Sequence, residues 1–228
     1  MYKFNLAIKR CFDVAASLML LVLLFPLFLL VIAAIKLDSR GPAIFKQERR
    51  TKNGTIFQMY KFRSMYADAT NTGSVFCFEN DSRETRVGRF IRKTSIDELP
   101  QLINILKGEM SIVGPRPCLP NDLGDFETLN KRYKKRFEVN AGLTGLAQIK
   151  GRNTISWHDK IGYDNEYIEA FKRFGIWLDL KIVLLTITQI FTHSGVYYTK
   201  SDENMNCIEA AELLEKEIIR KAHMRDEM

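Results

Sequence analysis

Residues 14–35 contain no charged side chain over 22 consecutive positions (VAASLMLLVLLFPLFLLVIAAI). As a helix, this run would be roughly 33 Å long, about the thickness of a bilayer's hydrocarbon core. It is apolar on all sides, whereas a helix on a soluble core needs only one apolar stripe. It therefore reads as a membrane-embedded segment. A cleaved signal peptide would share the basic lead of Lys3, Lys9 and Arg10, but the run is long and no A-x-A site ends it. Both flanks are basic, with Lys36, Arg40, Lys46, Arg49, Arg50 and Lys52 following the run. The preference of cationic flanks for the cytoplasm then asks for both ends on one side. Pro26 removes a backbone donor near the middle of the run and kinks a helix there. Two readings stay open on the residues alone: a helix that bends at Pro26 and returns, and an ordinary span that tolerates a proline.

The 228 residues are enough for one domain of ordinary size, or for one domain plus an appendage. A net charge of +7 suits anionic partners such as nucleic acid, phosphate-bearing substrates or acidic lipid, without choosing among them. No recognisable nucleic-acid motif accompanies the charge, so nucleic acid is not expected as a partner. The four cysteines form no CxxC pair and the three histidines no metal-binding cluster, so neither zinc nor a disulfide scaffold is expected. Each cysteine reads as a small buried hydrophobe.

Residues 43–48 and 56–62 are short β-type runs, and the turn signal Asn53-Gly54 between them predicts a hairpin. A polar loop covers 67–82. Helices are expected at 87–92 and from Ser95 to about Leu106, then a strand-like run to Val113 and a rigid turn, Gly114-Pro115-Arg116-Pro117. Residues 121–138 read as a basic helix, and Gly142-Leu143-Thr144-Gly145 as a simple turn or a backbone cradle. A helix is expected from about Trp157 to Phe174. Residues 176–191 carry only Asp179 and Lys181 as charges and fit either a helix in the membrane interface anchored by Trp177 or an ordinary core helix. Residues 207–228 read as a charged helix.

The chemistry concentrates at Asp97 and Glu98 in RKTSIDELPQL. Ser95 and Glu98 fit a capping box, which alone would explain Glu98. Pro100 fits that box less well, because proline prefers the first helical position. Arg92 and Lys93 precede the pair, and Arg116 follows in a turn stiffened by Pro115 and Pro117. Two carboxylates among several cations could hold Mg²⁺ and a phosphate together, and a carboxylate can attack phosphorus as a nucleophile. Lys61 and Arg63 offer a phosphate contact or a solvated strand end, and Gly151-Arg152-Asn153 an anion contact or a loop closure. No P-loop, GxGxxG, D-x-D or GxSxG motif occurs.

Together KRCFDVAASLMLLVLLFPL, GPAIFKQERR, YKFRSM, IRKTSIDELPQLINILKGEMSIVGPRP, AGLTGLAQIKGRN and LDLKIVLLT resemble the bacterial sugar transferase family, the monotopic phosphoglycosyl transferases. The resemblance covers roughly residues 3–196. With no large extension before the membrane segment, the chain is similar to the small members.

The resemblance implies transfer of a phospho-sugar from a UDP-sugar to undecaprenyl phosphate with release of UMP. This is the initiating step of capsule, O-antigen, exopolysaccharide or glycoprotein glycan assembly at the cytoplasmic face of the bacterial inner membrane. It implies an α+β, mostly helical fold: a re-entrant membrane helix bent at Pro26, a short β-hairpin and interfacial amphipathic helices. The division is a membrane helix with flanks at 1–40, a catalytic domain at 41–198 and a charged tail at 199–228. One departure is that Phe25 stands before Pro26 where the family often has serine.

By the same resemblance Asp97 is the nucleophile that forms a covalent aspartyl-phosphosugar and the ligand for Mg²⁺, and Glu98 is the second acid of the dyad. Lys61, Arg63, Arg92, Pro115, Arg116, Gln148, Arg152 and Asn153 are expected to bind substrate or phosphate. The SGVYY tail and the dyad motif look most like members handling an N-acetylated, often 6-deoxygenated hexosamine. Membrane lipids are expected partners, and a homo-oligomer is compatible with the sequence. The rival function is a non-catalytic, membrane-anchored protein that binds anionic lipid, for which neither Asp97 nor Mg²⁺ would matter.

Overall fold

The computed structural model describes residues 2–67, 81–151 and 155–192. The chain opens with two helices, α1 (Tyr2–Leu23) and α2 (Phe25–Asp38), which meet at Leu24 with a bend of 61°. Pro26 lies in the first turn of α2, where a missing N–H is tolerated. The break thus precedes the proline, and the proline begins the second helix. No single helix among the described residues is long and apolar enough to cross a membrane, while this bent pair is by length and composition.

The far ends of the pair pack on the body of the protein. On α1, Lys9, Asp13 and Ser17 are buried at i, i+4 and i+8, one face of the helix. On α2, Val31 and Ile35 are buried with Ala43, Phe62 and Ile91. The bend between them exposes Leu18, Met19, Val22, Leu23, Phe25, Leu29 and Leu30.

The hairpin forms as the turn signal indicates. β1 (Ile44–Arg50) pairs antiparallel with β2 (Ile56–Phe62), Ile44 opposite Phe62 and Arg50 opposite Ile56. Asn53 and Gly54 take positive φ, 55° and 77°, in the connection. α3 (Arg86–Lys93) is capped by Thr85, whose side chain accepts from Gly88 N. A single 3₁₀ turn at Ile96–Glu98 and α4 (Gln101–Lys107) follow.

β3 (Met110–Val113) lies parallel to β4 (Ala141–Thr144), and this second sheet was not expected: residues 142–145 read as a turn or a cradle. Its glycines explain the misreading. A Cβ on Gly142 would lie 2.1 Å from Gly114 N, and one on Gly145 would lie 2.1 Å from Gly114 O. Backbones pass here at a distance only glycine permits.

The expected helix over 121–138 is much shorter. Only α5 (Lys131–Lys134) and a 3₁₀ turn to Glu138 are helical. Gly124 takes a φ of 72°, and Asn130 accepts from Arg132 N as an N-cap, so the helix starts only there.

α6 (Leu146–Lys150) leads to α7 (Trp157–Phe174), with the bounds its sequence predicts, and α8 (Ile176–Thr192). α8 buries Asp179 and Ile182 and exposes Trp177, Leu184, Leu185 and Ile187, so it is two-faced, with an apolar outer side. Cys118 is a buried hydrophobe as expected, whereas Cys11 is exposed. The expected tail helix, most of the polar loop, Arg152 and Asn153 lie outside the described residues. The described residues are mostly helical with two small sheets.

Candidate active site

Strand alternation aims Lys61 at the acidic pair. Residues 57, 59 and 61 share one face of β2. Phe57 and Met59 on that face pack against Leu102 and Ile105 of α4. Lys61, next along, therefore meets the turn that precedes α4. Its Nζ donates to Glu98 Oε1 at 3.1 Å. Asn104, fully buried in α4, fixes this register: its Oδ1 accepts from Tyr60 N at 3.0 Å and its Nδ2 donates to Gln58 O at 2.8 Å. No sequence signal marked Asn104, whose amide takes up the open edge of a two-stranded sheet.

The second cation arrives from the other sheet. Gly114 N donates to Thr144 O and Gly142 N to Pro115 O, both at 2.8 Å, so the parallel pair holds both sides of the proline-stiffened turn. From it Arg116 donates to Glu98 Oε1 at 3.2 Å. Lys61 and Arg116 thus share one carboxylate oxygen. Burial pulls the Lys61 ammonium below its ordinary range, against the opposing pull of Glu98 and Asp97.

Asp97 and Glu98 are both buried. They sit in the 3₁₀ turn rather than in a regular helix, because Ser95 adopts a φ of 58° and makes no side-chain cap bond. The capping box is therefore not formed, and Glu98 is held by residues distant in sequence. The α-helix begins after Pro100, as the position of that proline suggests.

The remaining expected residues are placed as follows. Arg92 bonds Ser64 Oγ at 2.9 Å and pairs with buried Glu84 at 3.2 Å. Arg63 donates to Ser39 O at 2.8 Å, tying the end of β2 to the end of α2. Both have architectural contacts that the spacing did not reveal. Pro115 is buried in the turn, and Gln148 is buried on α6. Arg136, unmarked in the sequence, donates to Asp164 Oδ2 at 3.0 Å and to Arg116 O at 2.7 Å, bracing the turn from behind.

Among the described residues, no group of three His, Cys, Asp or Glu side chains converges on one point. The adjacent carboxylates still fit Mg²⁺, which binds through one or two carboxylates and completes its shell with water and substrate phosphate.

Two buried acids thus lie in one tight turn, with cations delivered to Glu98 by two separate sheets. The chain belongs to the bacterial sugar transferase family, whose model matches residues 4–193. It is 46% identical over 197 residues to the undecaprenyl-phosphate glucose phosphotransferase of Komagataeibacter xylinus, covering 82% of this chain and 36% of that protein. It is 41% identical over 191 residues to the UDP-N-acetylgalactosamine-undecaprenyl-phosphate N-acetylgalactosaminephosphotransferase of Aeromonas hydrophila, covering 82% and 44%. The uncharacterised sugar transferase EpsL of Bacillus subtilis is 41% identical over 192 residues, covering 84% and 91%. The chain thus spans less than half the length of the first two relatives and most of the third.

Proposed function

We propose that this chain is a phosphoglycosyl transferase that moves a sugar 1-phosphate from a UDP-sugar to undecaprenyl phosphate and releases UMP. The observation that carries the reading is Asp97 beside Glu98 in a buried turn, with Lys61 and Arg116 both bonded to Glu98. The relatives' names supply the substrate classes.

In this reading an Asp97 carboxylate oxygen attacks the β-phosphorus of the donor. A bond forms between that oxygen and phosphorus, and the bond from phosphorus to the bridging oxygen breaks. UMP leaves with the electron pair, and the phospho-sugar stays on Asp97 as an acyl phosphate. A phosphate oxygen of the lipid acceptor then attacks the same phosphorus, and the Asp97 carboxylate is released. Lys61 and Arg116 hold Glu98 in place and offset negative charge that gathers around the phosphates. Asp97 and Glu98 would hold Mg²⁺, which when bound neutralises phosphate charge.

The site belongs at the cytoplasmic surface of the bacterial inner membrane, where a soluble nucleotide and a lipid phosphate can meet. Re-entrance of the N-terminal pair is supported by its packing: both far ends return to the same protein body, and the apolar bend between them faces outward. The apolar outer face of α8 suits the interface. We take the donor sugar to be an N-acetylated hexosamine, with or without a 6-deoxy group, and the product to enter capsule, O-antigen, exopolysaccharide or glycoprotein glycan assembly.

The test is UMP release by purified protein with Mg²⁺, undecaprenyl phosphate and a panel of UDP-sugars that includes glucose and N-acetylated hexosamines, beside Asp97→Asn. Release with one donor and its loss in the variant is expected. Equal release by the variant would overturn the nucleophile. No release with any donor from folded, lipid-bound protein would favour the non-catalytic lipid-binding alternative.

A further inference from the structure

Arg49 of β1, the turn at Arg116 and Pro117, α6 and α7 line a cleft that opens to solvent. Its lining includes Arg116, Arg136, Gln148, Trp157, Lys160 and Asp164. Counting Arg49 and Asp122 as well, four cationic side chains face two carboxylates, so the cleft favours an anion. Two of its side chains have unmet hydrogen-bonding capacity. Arg136 is 2% exposed and uses Nε and Nη2, while Nη1 has no partner among the described residues. Gln148 is 6% exposed, and neither its Nε2 nor its Oε1 has a partner there. Buried amides and guanidinium groups are ordinarily satisfied, and among the described residues these are not.

The unmet groups have a definite chemistry. A primary amide offers a donor and an acceptor side by side, which matches a planar ligand edge with the same pair. Uracil has such an edge at N3–H and its neighbouring carbonyls. The indole of Trp157 forms an aromatic wall, with Arg136 Cζ at 5.3 Å and Lys160 Nζ at 5.2 Å from the ring centroid. Gly145 keeps space beside the amide, since a Cβ there would lie 2.8 Å from Gln148 Oε1. Arg116 joins the two regions, because it lines the cleft and also bonds Glu98.

We propose that this cleft seats the nucleoside monophosphate half of the donor, with the Gln148 amide hydrogen-bonding the uracil edge at N3–H. The inference rests on the reaction proposed above and locates its leaving group. The base stands against the Trp157 wall, and the cations of the cleft lead its phosphate toward Arg116 and the dyad. An amide can turn over to suit cytosine, so the decisive probe is a ligand lacking the N3 hydrogen rather than another base.

The chain carries two tryptophans, and Trp177 is exposed on α8. Full-length protein with Trp177→Phe, in lipid nanodiscs, therefore reports on Trp157 by fluorescence. UMP, N3-methyl-UMP and ribose 5-phosphate are titrated against it. UMP is expected to bind at least tenfold more tightly than either of the others. Gln148→Leu is expected to weaken UMP to the level of N3-methyl-UMP and to leave N3-methyl-UMP unchanged. Equal binding of UMP and N3-methyl-UMP to the Gln148-containing protein would overturn the proposal, and that comparison does not depend on the variant folding. Equal weakening of both ligands by Gln148→Leu would also overturn it. The two readings fail separately. UMP release from a donor without N3 dependence of binding overturns the cleft assignment and leaves the reaction standing. N3-dependent binding without turnover of any donor overturns the reaction and leaves the cleft standing.

Discussion

Replacing Lys9 with methionine removes one half of a buried ion pair that fastens α1 to the body. Lys9 Nζ donates to Asp179 Oδ2 on α8 and, at 2.8 Å, to Val113 O at the end of β3. The two side chains are 8% and 2% exposed, so little solvent screens them. Removing one partner of a buried pair strands the other charge, at a cost of about 3–5 kcal/mol. For a domain of this size that corresponds to a fall in Tm of roughly 6–20 °C. The double variant Lys9→Met/Asp179→Leu strands no charge, and the Tyr167 hydroxyl still reaches Val113 O at 3.3 Å. It is expected to recover to within about 2 kcal/mol of the unsubstituted protein, because apolar replacement of a whole buried pair is often neutral. Denaturant or thermal unfolding in a common lipid environment measures all four members of the cycle. A single-variant cost below about 1 kcal/mol, or additive losses in the double variant, would refute the buried pair.

Three other outcomes follow from the site and its supports. Lys61→Met and Arg116→Met each remove one cation from Glu98 Oε1 and are expected to lower kcat/KM at least about tenfold, by the usual worth of a charge-assisted contact, with small changes in Tm; unchanged kinetics in both would contradict their role. Gly142→Ala forces a Cβ against Gly114 N and is expected to cost about 1–3 kcal/mol or more in unfolding experiments, with loss of activity because the Arg116 turn shifts. Burial outweighs the Arg136 partner at Asp164 and raises its carboxyl from 3.8 to about 6. The folded protein then holds this proton more tightly than the unfolded chain, so the contribution is full below about pH 4 and is lost as pH rises through about 6. Asp164→Asn should flatten the stability profile across that window.

What could be read from the residues depended on how local the causes were. The hairpin was legible because the Asn53-Gly54 turn signal acts within a few residues, and the structure adds Ser156 as the N-cap that starts α7 where it was expected. The β3–β4 pair was not legible, because its four-residue strands are far apart in sequence and its glycines serve a backbone crossing rather than a turn. The site divides in the same way. Asp97, Glu98, Lys61 and Arg116 were all named from the sequence, and the structure brings Lys61 and Arg116 onto Glu98. Arg63 and Arg92 were named for the same charge, and the structure adds contacts to the α2 terminus and to Glu84 that the sequence did not show. Charge type is visible in a sequence, while partner choice is a tertiary fact. Asn104 and Arg136 were missed for that reason, since each acts on backbone carbonyls or acids contributed by other elements.

The most direct test of the central claim is to trap the covalent intermediate. Protein is incubated with Mg²⁺ and the UDP-sugar that supports turnover, without lipid acceptor, and analysed by intact mass and peptide mapping. The expected result is a phospho-sugar adduct on the peptide containing Asp97, discharged on adding undecaprenyl phosphate and absent in Asp97→Asn. Turnover of the same donor with no adduct at Asp97, or an adduct that persists in Asp97→Asn, would contradict nucleophilic catalysis by this residue.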